Sequence, residues 1–453
     1  MTETPRTDII DLLAGIAPGS PLAEVREHRA QARENAQSSF EALLEPAEPG
    51  SFPLAERYAI ALFVAQLHRF QAAEEFYADV LGDEAPEHVA LIRGLAQQTA
   101  ARGPVGAYRE PGLRGESVPA APWTPDAATV AALGERLATA LAHTHLLVFR
   151  PREASPEALA AVVDAGWSAD DTVSLSQLVS FLTFQLRAAW GLRALGGGGE
   201  GGAGADGAAA DVPGSAAAAA GAGAAGAAGT AGAAGTAAAP ASSAPSRSGE
   251  LITSYPEIAR PEAFTQEGLG WVPWLSPVDE ADLTAEQLEA LIEPSRAKLP
   301  YFRLLARDPQ ALRARTLTDL DIFFNVTDGV GRAERELAAT AASRHNGCVY
   351  CASVHSAAAT RESGRGDDVQ RLLDEGVGAD LGDPVWNAVV AASVSLTNTP
   401  LEFGESDVAE LRGVGLGDAE IVDVVNGAAF FNWANRLMLS IGEPEVPARR
   451  TRS

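Results

Sequence analysis

Apolar residues recur every three or four positions along most of the chain, which is the spacing of one face of an α-helix. This pattern is clear over residues 55–81, 385–396 and 421–439. No stretch of useful length alternates apolar and polar residues as a half-buried strand does. Short breaks that contain proline or glycine, such as residues 400–404 and 413–417, are typical of turns between helices. The pattern therefore predicts an all-α fold.

One long stretch has no such pattern. Residues 196–248 consist almost entirely of glycine, alanine, serine, threonine and proline. These residues have few large apolar groups to bury, so they do not offset the entropy cost of ordering the backbone. We therefore predict a disordered, flexible linker that joins two helical domains, residues 1–195 and residues 249–453.

The two predicted domains resemble each other in sequence. At an offset of 249 residues, matching pairs are Phe181 and Phe430, Phe184 and Trp433, and Arg187 and Arg436. Nearer the start of each domain the offset is 280, which places Glu56 on Glu336. We assign the difference between the offsets, 31 residues, to a longer connection in the first domain at residues 102–125. The domains are interpreted as two copies of one helical unit, with chance similarity between helices as the alternative.

Charge and composition narrow the class of protein. The chain has 453 residues, is 46% hydrophobic and carries a formal net charge of −26. Because proteins that bind a phosphate backbone need clustered Lys and Arg, this charge argues against a nucleic-acid partner. The N-terminus lacks the pattern of a signal peptide, and glycines interrupt the alanine-rich stretch at residues 203–240. We therefore expect a cytoplasmic protein that does not enter a membrane.

The two cysteines of the chain, Cys348 and Cys351, stand three positions apart. A disulfide scaffold uses more cysteines at longer spacings, whereas a close pair is typical of a redox centre or half of a metal site. Gly347 predicts a helix break, so Cys348 is expected in the first turn of a new helix, where the helix dipole lowers a thiol pKa. Residues at offsets of zero, three and seven share a helix face, which aligns Cys348, Cys351 and His355.

The residues around the cysteines suggest a reaction. His355 follows Cys351 by one turn and is placed to exchange a proton with it, while Glu336 on the preceding helix would orient His355. Such a set suits peroxide reduction, in which a thiolate attacks the O–O bond and the resulting sulfenic acid condenses with a second thiol. We predict that Cys351 attacks. Cys348, nearer the helix start and more exposed, would resolve the sulfenic acid and meet the external reductant.

This pattern resembles that of the AhpD-like alkylhydroperoxidases, which have the carboxymuconolactone decarboxylase fold. The shared pattern is Glu, eleven residues, Cys-x-x-Cys, three residues and His, and it is matched by Glu336, Cys348, Cys351 and His355. The resemblance covers about residues 299–442. It implies an all-helical fold, homo-oligomers that are often trimers or hexamers, and a peroxide substrate. It also implies a thioredoxin-like or lipoyl-bearing reductant, without haem, flavin or another cofactor.

The chain departs from the family pattern in two places. The best-described members have a second histidine just before the second cysteine, where this chain has Tyr350, so the proton relay would be shorter. In the first domain, the positions of the two cysteines and the histidine are occupied by His68, Gln71 and Glu75. None of these is a thiol, so this domain cannot run the same redox cycle. We interpret it as a degenerate copy that supplies packing surface.

Other interpretations of the cysteine pair stay open. His345 and His355 would nominally complete a Cys–Cys–His–His zinc set, although the four residues crowd together, unlike the hairpin spacing of structural zinc sites. The cysteines would otherwise be inactive core residues, or a non-catalytic redox sensor or scaffold that toggles packing between the domains. A decarboxylase-like activity is a further alternative, because some members of the fold lack paired cysteines; retention of both argues against it.

Overall fold

The computed structural model describes residues 8–198 and 248–448. Helix accounts for 68% of the structure and strand for 4%, which confirms the predicted all-α class. Residues 199–247, which form nearly all of the predicted linker at residues 196–248, lie outside the described residues. Within the described part of the chain, no helix is both long and apolar enough to cross a bilayer.

The first half of the structure, residues 8–198, is built from a succession of helices. They are α1 (Ile9–Ala14), α2 (Pro21–Arg26), α3 (Ala30–Leu44), α4 (Leu54–His68), α5 (Gln71–Glu84), α6 (Pro86–Thr99), α7 (Ala127–Phe149), α8 (Pro156–Asp164) and α9 (Ala169–Leu195). Ser155 and Ser168 begin α8 and α9 by accepting a hydrogen bond from a backbone N–H of the first turn. Gly134 bends α7, because its φ of +78° lies in the left-handed region.

The second half, residues 248–448, repeats this succession and adds one pair of strands. Its helices are α10 (Ser248–Leu251), α11 (Ala285–Ala290), α12 (Pro300–Leu305), α13 (Pro309–Phe324), α14 (Arg332–Asn346), α15 (Val349–Ser363), α16 (Gly366–Glu375), α17 (Pro384–Thr397), α18 (Glu405–Gly413) and α19 (Asp418–Ile441). Strands β1 (Gly270–Pro273) and β2 (Gly442–Glu445) pair antiparallel, with Gly270 opposite Glu445. Neither strand has an alternating pattern, so the sequence gives no sign of them.

The helices of the two halves correspond at the offsets found in the sequence. Helices α2–α6 correspond in order to α12–α16. When 280 is subtracted from the number of the first residue of a helix in the second set, the result lies within two residues of the first residue of its counterpart. The part of α7 after its bend, α8 and α9 precede α17, α18 and α19 by 249 residues. The 31 added residues therefore lie between α6 and the bend in α7. This correspondence supports two copies of one unit, while the family of the first copy and the domain boundaries stay predictions.

The two halves share one hydrophobic core, which contains buried residues from both. Its centre is the extensive contact between α9 and α19. Phe184 stacks on Trp433 with 5.6 Å between ring centroids, and Phe181 meets Trp433 edge-on at 5.1 Å. The indole Nε1 of Trp433 donates to Oε1 of Gln177 at 3.1 Å, so its one polar group is satisfied inside the core. Helix α3 of the first half packs in addition on α13 of the second.

Two buried arginines connect each half to the other by equivalent contacts. Arg187 on α9 donates to the carbonyl of Thr397 at the end of α17 at 2.8 Å. Arg436 on α19 donates to the carbonyl of Val148 at the end of α7 at 3.2 Å, and to that of Leu147 at 2.9 Å. The last carbonyls of a helix lack partners in the helix, and they carry its negative dipole end. The arginines therefore satisfy these carbonyls across the boundary between the halves.

This contact predicts a large effect of Arg436→Met on stability. The free energy of unfolding should fall by about 2–4 kcal/mol, because two buried carbonyls lose a charged donor. Denaturant titration measures this quantity. Arg412→Met is the matched control, since Arg412 pairs with Asp418 at the surface, and it should change the value by no more than about 0.5 kcal/mol. Equal effects of the two substitutions would contradict the role of Arg436.

Candidate active site

The turn between α14 and α15 requires a glycine for two reasons. Gly347 ends α14 with a φ of +83°, which is the left-handed conformation of many helix ends. A Cβ atom on Gly347 would also lie 2.9 Å from Nε of Arg152, which is too close. Helix α15 begins directly after this turn, with Cys348 as its N-cap. The predicted helix break is confirmed, and Cys348 lies one position before the first turn rather than within it.

The two cysteines are free thiols in contact with each other. Their Sγ atoms are 2.7 Å apart. Cys348 is 1% exposed and Cys351 is 5% exposed, so the prediction that Cys348 is the more exposed thiol is wrong. The physical reason is that Cys348 belongs to the hydrophobic core shared by the two halves. Tyr108 and Leu113, in the connection between α6 and α7, pack in a second apolar cluster with Val349, the neighbour of Cys348 in the chain.

Burial also changes the acidity of Cys348. It raises the pKa of this thiol well above its ordinary value, and the adjacent Cys351 and the negative charge of Glu110 raise it further. The prediction that the helix start lowers the pKa is therefore wrong for Cys348. Desolvation of a buried thiolate outweighs the helix dipole and the backbone hydrogen bond of Cys351, which lowers the pKa of Cys348. Cys348 is a neutral thiol in the resting protein.

The structure brings Glu336 and His355 into direct contact. Nδ1 of His355 lies 2.6 Å from Oε2 of Glu336, and Nε of Arg332 donates to Oε1 at 3.1 Å. Burial raises the pKa of Glu336, but the bonds from His355 and Arg332 outweigh this effect and lower it below its ordinary value. A carboxylate only accepts hydrogen bonds, so Nδ1 of His355 carries a proton and Nε2 is the nitrogen left for chemistry.

Aromatic rings surround His355 on the side of the core. The ring of Phe431, on α19, lies edge-on to His355 at 4.0 Å between centroids, and that of Phe323, on α13, lies at 5.6 Å. Phe430 contacts Phe323 at 6.2 Å and extends this wall. The His355 side chain is 18% exposed, more than either cysteine. The centre therefore has an apolar wall formed by α13 and α19.

Two further histidines have structural partners. Nε2 of His345 lies 2.7 Å from Oδ1 of Asn398, so His345 is engaged away from the cysteines, which argues against the zinc alternative. Among the described residues, no group of three or more His, Cys, Asp or Glu is arranged to hold a metal ion. His68, the counterpart of Cys348 in the first half, is fully buried and accepts from Nη1 of Arg187 at 2.7 Å. His68 thus holds Arg187, which connects the two halves.

The structure also places four residues at the site that the sequence did not single out. Tyr301 on α12 lies close enough to Cys351 for charge on this thiol to act on the Tyr301 hydroxyl, and Asp319 on α13 lies in the same way close to His355. Arg315, one turn before Asp319, and Glu110 of the first half complete the set. The spacing of Arg315 and Asp319 on one helix face is a weak signal, shared by most charged pairs on helices. Tyr301 and Glu110 have no signal in sequence.

One of the comparisons with known proteins gives a match. Residues 309–395 match the model of the Carboxymuconolactone decarboxylase family. This segment is similar to that family. It runs from the start of α13 into α17 and includes Glu336, both cysteines and His355, so the predicted resemblance is confirmed for the part of the chain that carries the chemistry. No curated protein and no solved structure gives a significant match to the chain.

The environment of Glu336 predicts a pH-dependent effect of Glu336→Gln. A carboxyl group with a lowered pKa in the folded state stabilises the protein above its unfolded pKa, and this stabilisation is lost as pH falls through the folded pKa. At pH 7 the substitution should lower the free energy of unfolding by about 2–3 kcal/mol, and the difference from wild type should shrink as the pH falls below the ordinary pKa of 4.5. Denaturant titrations at several pH values test this.

Glu410→Gln is the matched control, because Glu410 is exposed on α18. It should leave stability unchanged at every pH. A difference between wild type and Glu336→Gln that stays constant from neutral to acidic pH would contradict the interpretation of Glu336 as a carboxylate held by charged partners.

The raised pKa of Cys348 predicts the order of thiol reactivity. In Cys351→Ser, the remaining Cys348 should react with iodoacetamide at least about 10-fold more slowly than Cys351 reacts in Cys348→Ser, because only the thiolate reacts and each pKa unit is tenfold. Mass spectrometry of timed samples at neutral pH measures both rates. In denaturant the two rates should become equal. Faster alkylation of Cys348 in the folded protein would overturn the prediction.

Proposed function

We propose that this chain is a thiol-dependent peroxidase, with peroxiredoxin-type activity, that reduces hydrogen peroxide or alkyl hydroperoxides. The observation that carries the proposal is the contact of two free thiols, 2.7 Å apart, one helical turn from the pair of His355 and Glu336. The family match supports the coarser statement that the chain is an enzyme with peroxidase-related or decarboxylase-like chemistry. Retention of a cysteine pair favours the peroxidase.

The proposed reaction uses each of these groups once. His355 accepts the proton of Cys351 at Nε2, and Glu336 stabilises the cation that forms. The thiolate of Cys351 attacks the terminal peroxide oxygen, so an S–O bond forms, the O–O bond breaks, and an alcohol or water leaves after taking up the proton. Cys348 then attacks the sulfenic acid, and its thiol proton leaves with the hydroxyl group as water. The product is the disulfide of Cys348 and Cys351.

A dithiol partner would close the cycle. We propose a thioredoxin-like or lipoyl-bearing reductant, because two electrons and two protons must return to the pair in each turnover. Cys351 is the more exposed sulfur, so the reductant would attack there rather than at Cys348. No haem or flavin takes part in this scheme. Assembly into a homo-oligomer and a cytoplasmic location complete the proposal.

One observation favours a second candidate, a non-catalytic redox sensor. The connection between α6 and α7 of the first half packs on Val349, next to Cys348 in the chain, so forming a disulfide there would act on the contact between the halves. A sensor consumes one peroxide per thiol pair and then stops. An enzyme continues to turn over as long as the reductant lasts, and the two candidates are therefore separable by stoichiometry.

The direct test is peroxide consumption by wild type, Cys351→Ser and Cys348→Ser, with dithiothreitol and then with dihydrolipoamide. Wild type should turn over repeatedly. Cys351→Ser should be inactive, and Cys348→Ser should be oxidised once. His355→Asn should lose at least about 100-fold in rate, since general base catalysis contributes 10²–10⁴-fold.

His345→Asn is the matched control for the last variant, because it changes a neighbouring buried histidine that bonds to Asn398. It should keep most of the activity. Wild type that consumes only one equivalent of peroxide per cysteine pair would contradict the enzyme and support the sensor.

A further inference from the structure

Three polar groups beside the cysteines have no part in the mechanism so far. They belong to Tyr301 on α12 and to Arg315 and Asp319 on α13. The hydroxyl of Tyr301 and Nε of Arg315 are buried, and neither has a hydrogen-bond partner among the described residues. Asp319 is partly buried. Buried polar atoms in folded proteins nearly always have a partner, so unpartnered groups next to a reactive thiol indicate the place of a ligand.

Tyr301 and Asp319 lie near Cys351 and His355, respectively. Tyr301 lies near enough to both Cys351 and Arg315 for their charges to act on its hydroxyl. Asp319 lies in the same way near Arg315, His355 and Glu336. One turn after Asp319 on the same helix face, Phe323 contacts His355 at 5.6 Å, which fixes this face of α13 toward the catalytic pair.

Arg315 is held by aromatic rings of α19. The guanidinium of Arg315 lies over the ring of Phe430, at 5.1 Å from its centroid, and 5.8 Å from that of Trp433. Arg315 is only 7% exposed. A cation in such a position strengthens the electrostatic stabilisation of negative charge nearby, because the surroundings exclude water.

We propose that Tyr301 is a further catalytic residue, which donates its hydrogen bond to the peroxide oxygen that leaves when Cys351 attacks. This inference rests on the proposed peroxidase function. As the S–O bond forms, the electron pair of the O–O bond moves to the leaving oxygen, which accepts from the Tyr301 hydroxyl and takes up the proton that His355 received from Cys351. Arg315 acts as a positioning residue, whose charge favours the same developing anion.

The protonation state of Tyr301 suits this role. Burial raises the pKa of Tyr301 well above its ordinary value, and Arg315 offsets this only in part. The hydroxyl therefore keeps its proton throughout the physiological pH range and serves as a hydrogen-bond donor, not as an acid that ionises. In the absence of peroxide the hydroxyl has no partner in the part of the chain that the structure describes, so its burial is a cost to the fold that binding of substrate removes.

Tyr301→Phe separates this role from a structural one. The ring contacts with Trp271 at 5.4 Å and Phe302 at 5.3 Å remain in the variant. The second-order rate constant for oxidation of Cys351, measured in the Cys348→Ser background by stopped flow, should fall about 100- to 1,000-fold, as it does when one donor to a developing oxyanion is removed. The loss should be similar for hydrogen peroxide and cumene hydroperoxide, because both share the leaving-oxygen step.

Two further readouts exclude a packing effect. The Tm of Tyr301→Phe should equal or exceed that of the parent, since an unpartnered buried hydroxyl has been removed. The pH at which the oxidation rate reaches half its maximum should not move, because Tyr301 does not titrate in the range tested. Tyr255→Phe is the matched control: the Tyr255 hydroxyl donates to the carbonyl of Pro273 at 3.0 Å, away from the thiols, and its loss should leave the rate unchanged.

The outcomes distinguish this inference from the proposed function. A parent protein whose Cys351 is not oxidised by either peroxide contradicts the peroxidase itself. A reactive parent with an equally reactive Tyr301→Phe overturns only the role of Tyr301. A slower Tyr301→Phe with a lowered Tm also overturns it, because the residue is then structural. A slower variant with an unchanged or higher Tm supports the proposal.

Discussion

The packing of α9 against α19 is the contact on which the rest of the structure depends. One face of α19 is held by the first half through Trp433 and Arg436. Neighbouring positions of the same helix carry Phe431, which contacts His355, and Phe430, which lies beneath Arg315. The core between the halves and the wall of the candidate active site are therefore parts of one rigid element. A change in how the halves pack would move the rings that surround His355.

Two opposing effects decide the protonation state of Cys348. A helix start stabilises a negative charge by about 0.3–1 kcal/mol when exposed, whereas full burial shifts a pKa by up to about 3–5 units. Because Cys348 is almost completely buried, burial prevails and the thiol stays protonated. A neutral Cys348 does not repel negative charge on Cys351. The proposed reaction requires this, because the thiolate of Cys351 forms next to the Cys348 thiol.

Sequence reasoning succeeded where the determinants are local. Helix periodicity, the break at Gly347 and the spacing from Glu336 to His355 all depend on neighbouring positions, and the structure agrees with each. It failed for the exposure of Cys348, because the burial of this residue depends on a core that brings together segments distant in the chain. It also missed Tyr301, which belongs to a short helix and approaches the thiols only through tertiary packing. Such contacts have no periodic or motif signature.

The longer connection between α6 and α7 has a consequence for symmetry. Identical subunits of a symmetric oligomer change together, so an insertion that covers a site in one subunit appears in all of them. Two similar units within one polypeptide are free of this constraint. Here the insertion is present only in the half that lacks thiols, and it packs on Val349, next to Cys348, in the other half. Joining the units in one chain thus permits a division of labour, in which one unit packs around the thiols that the other carries.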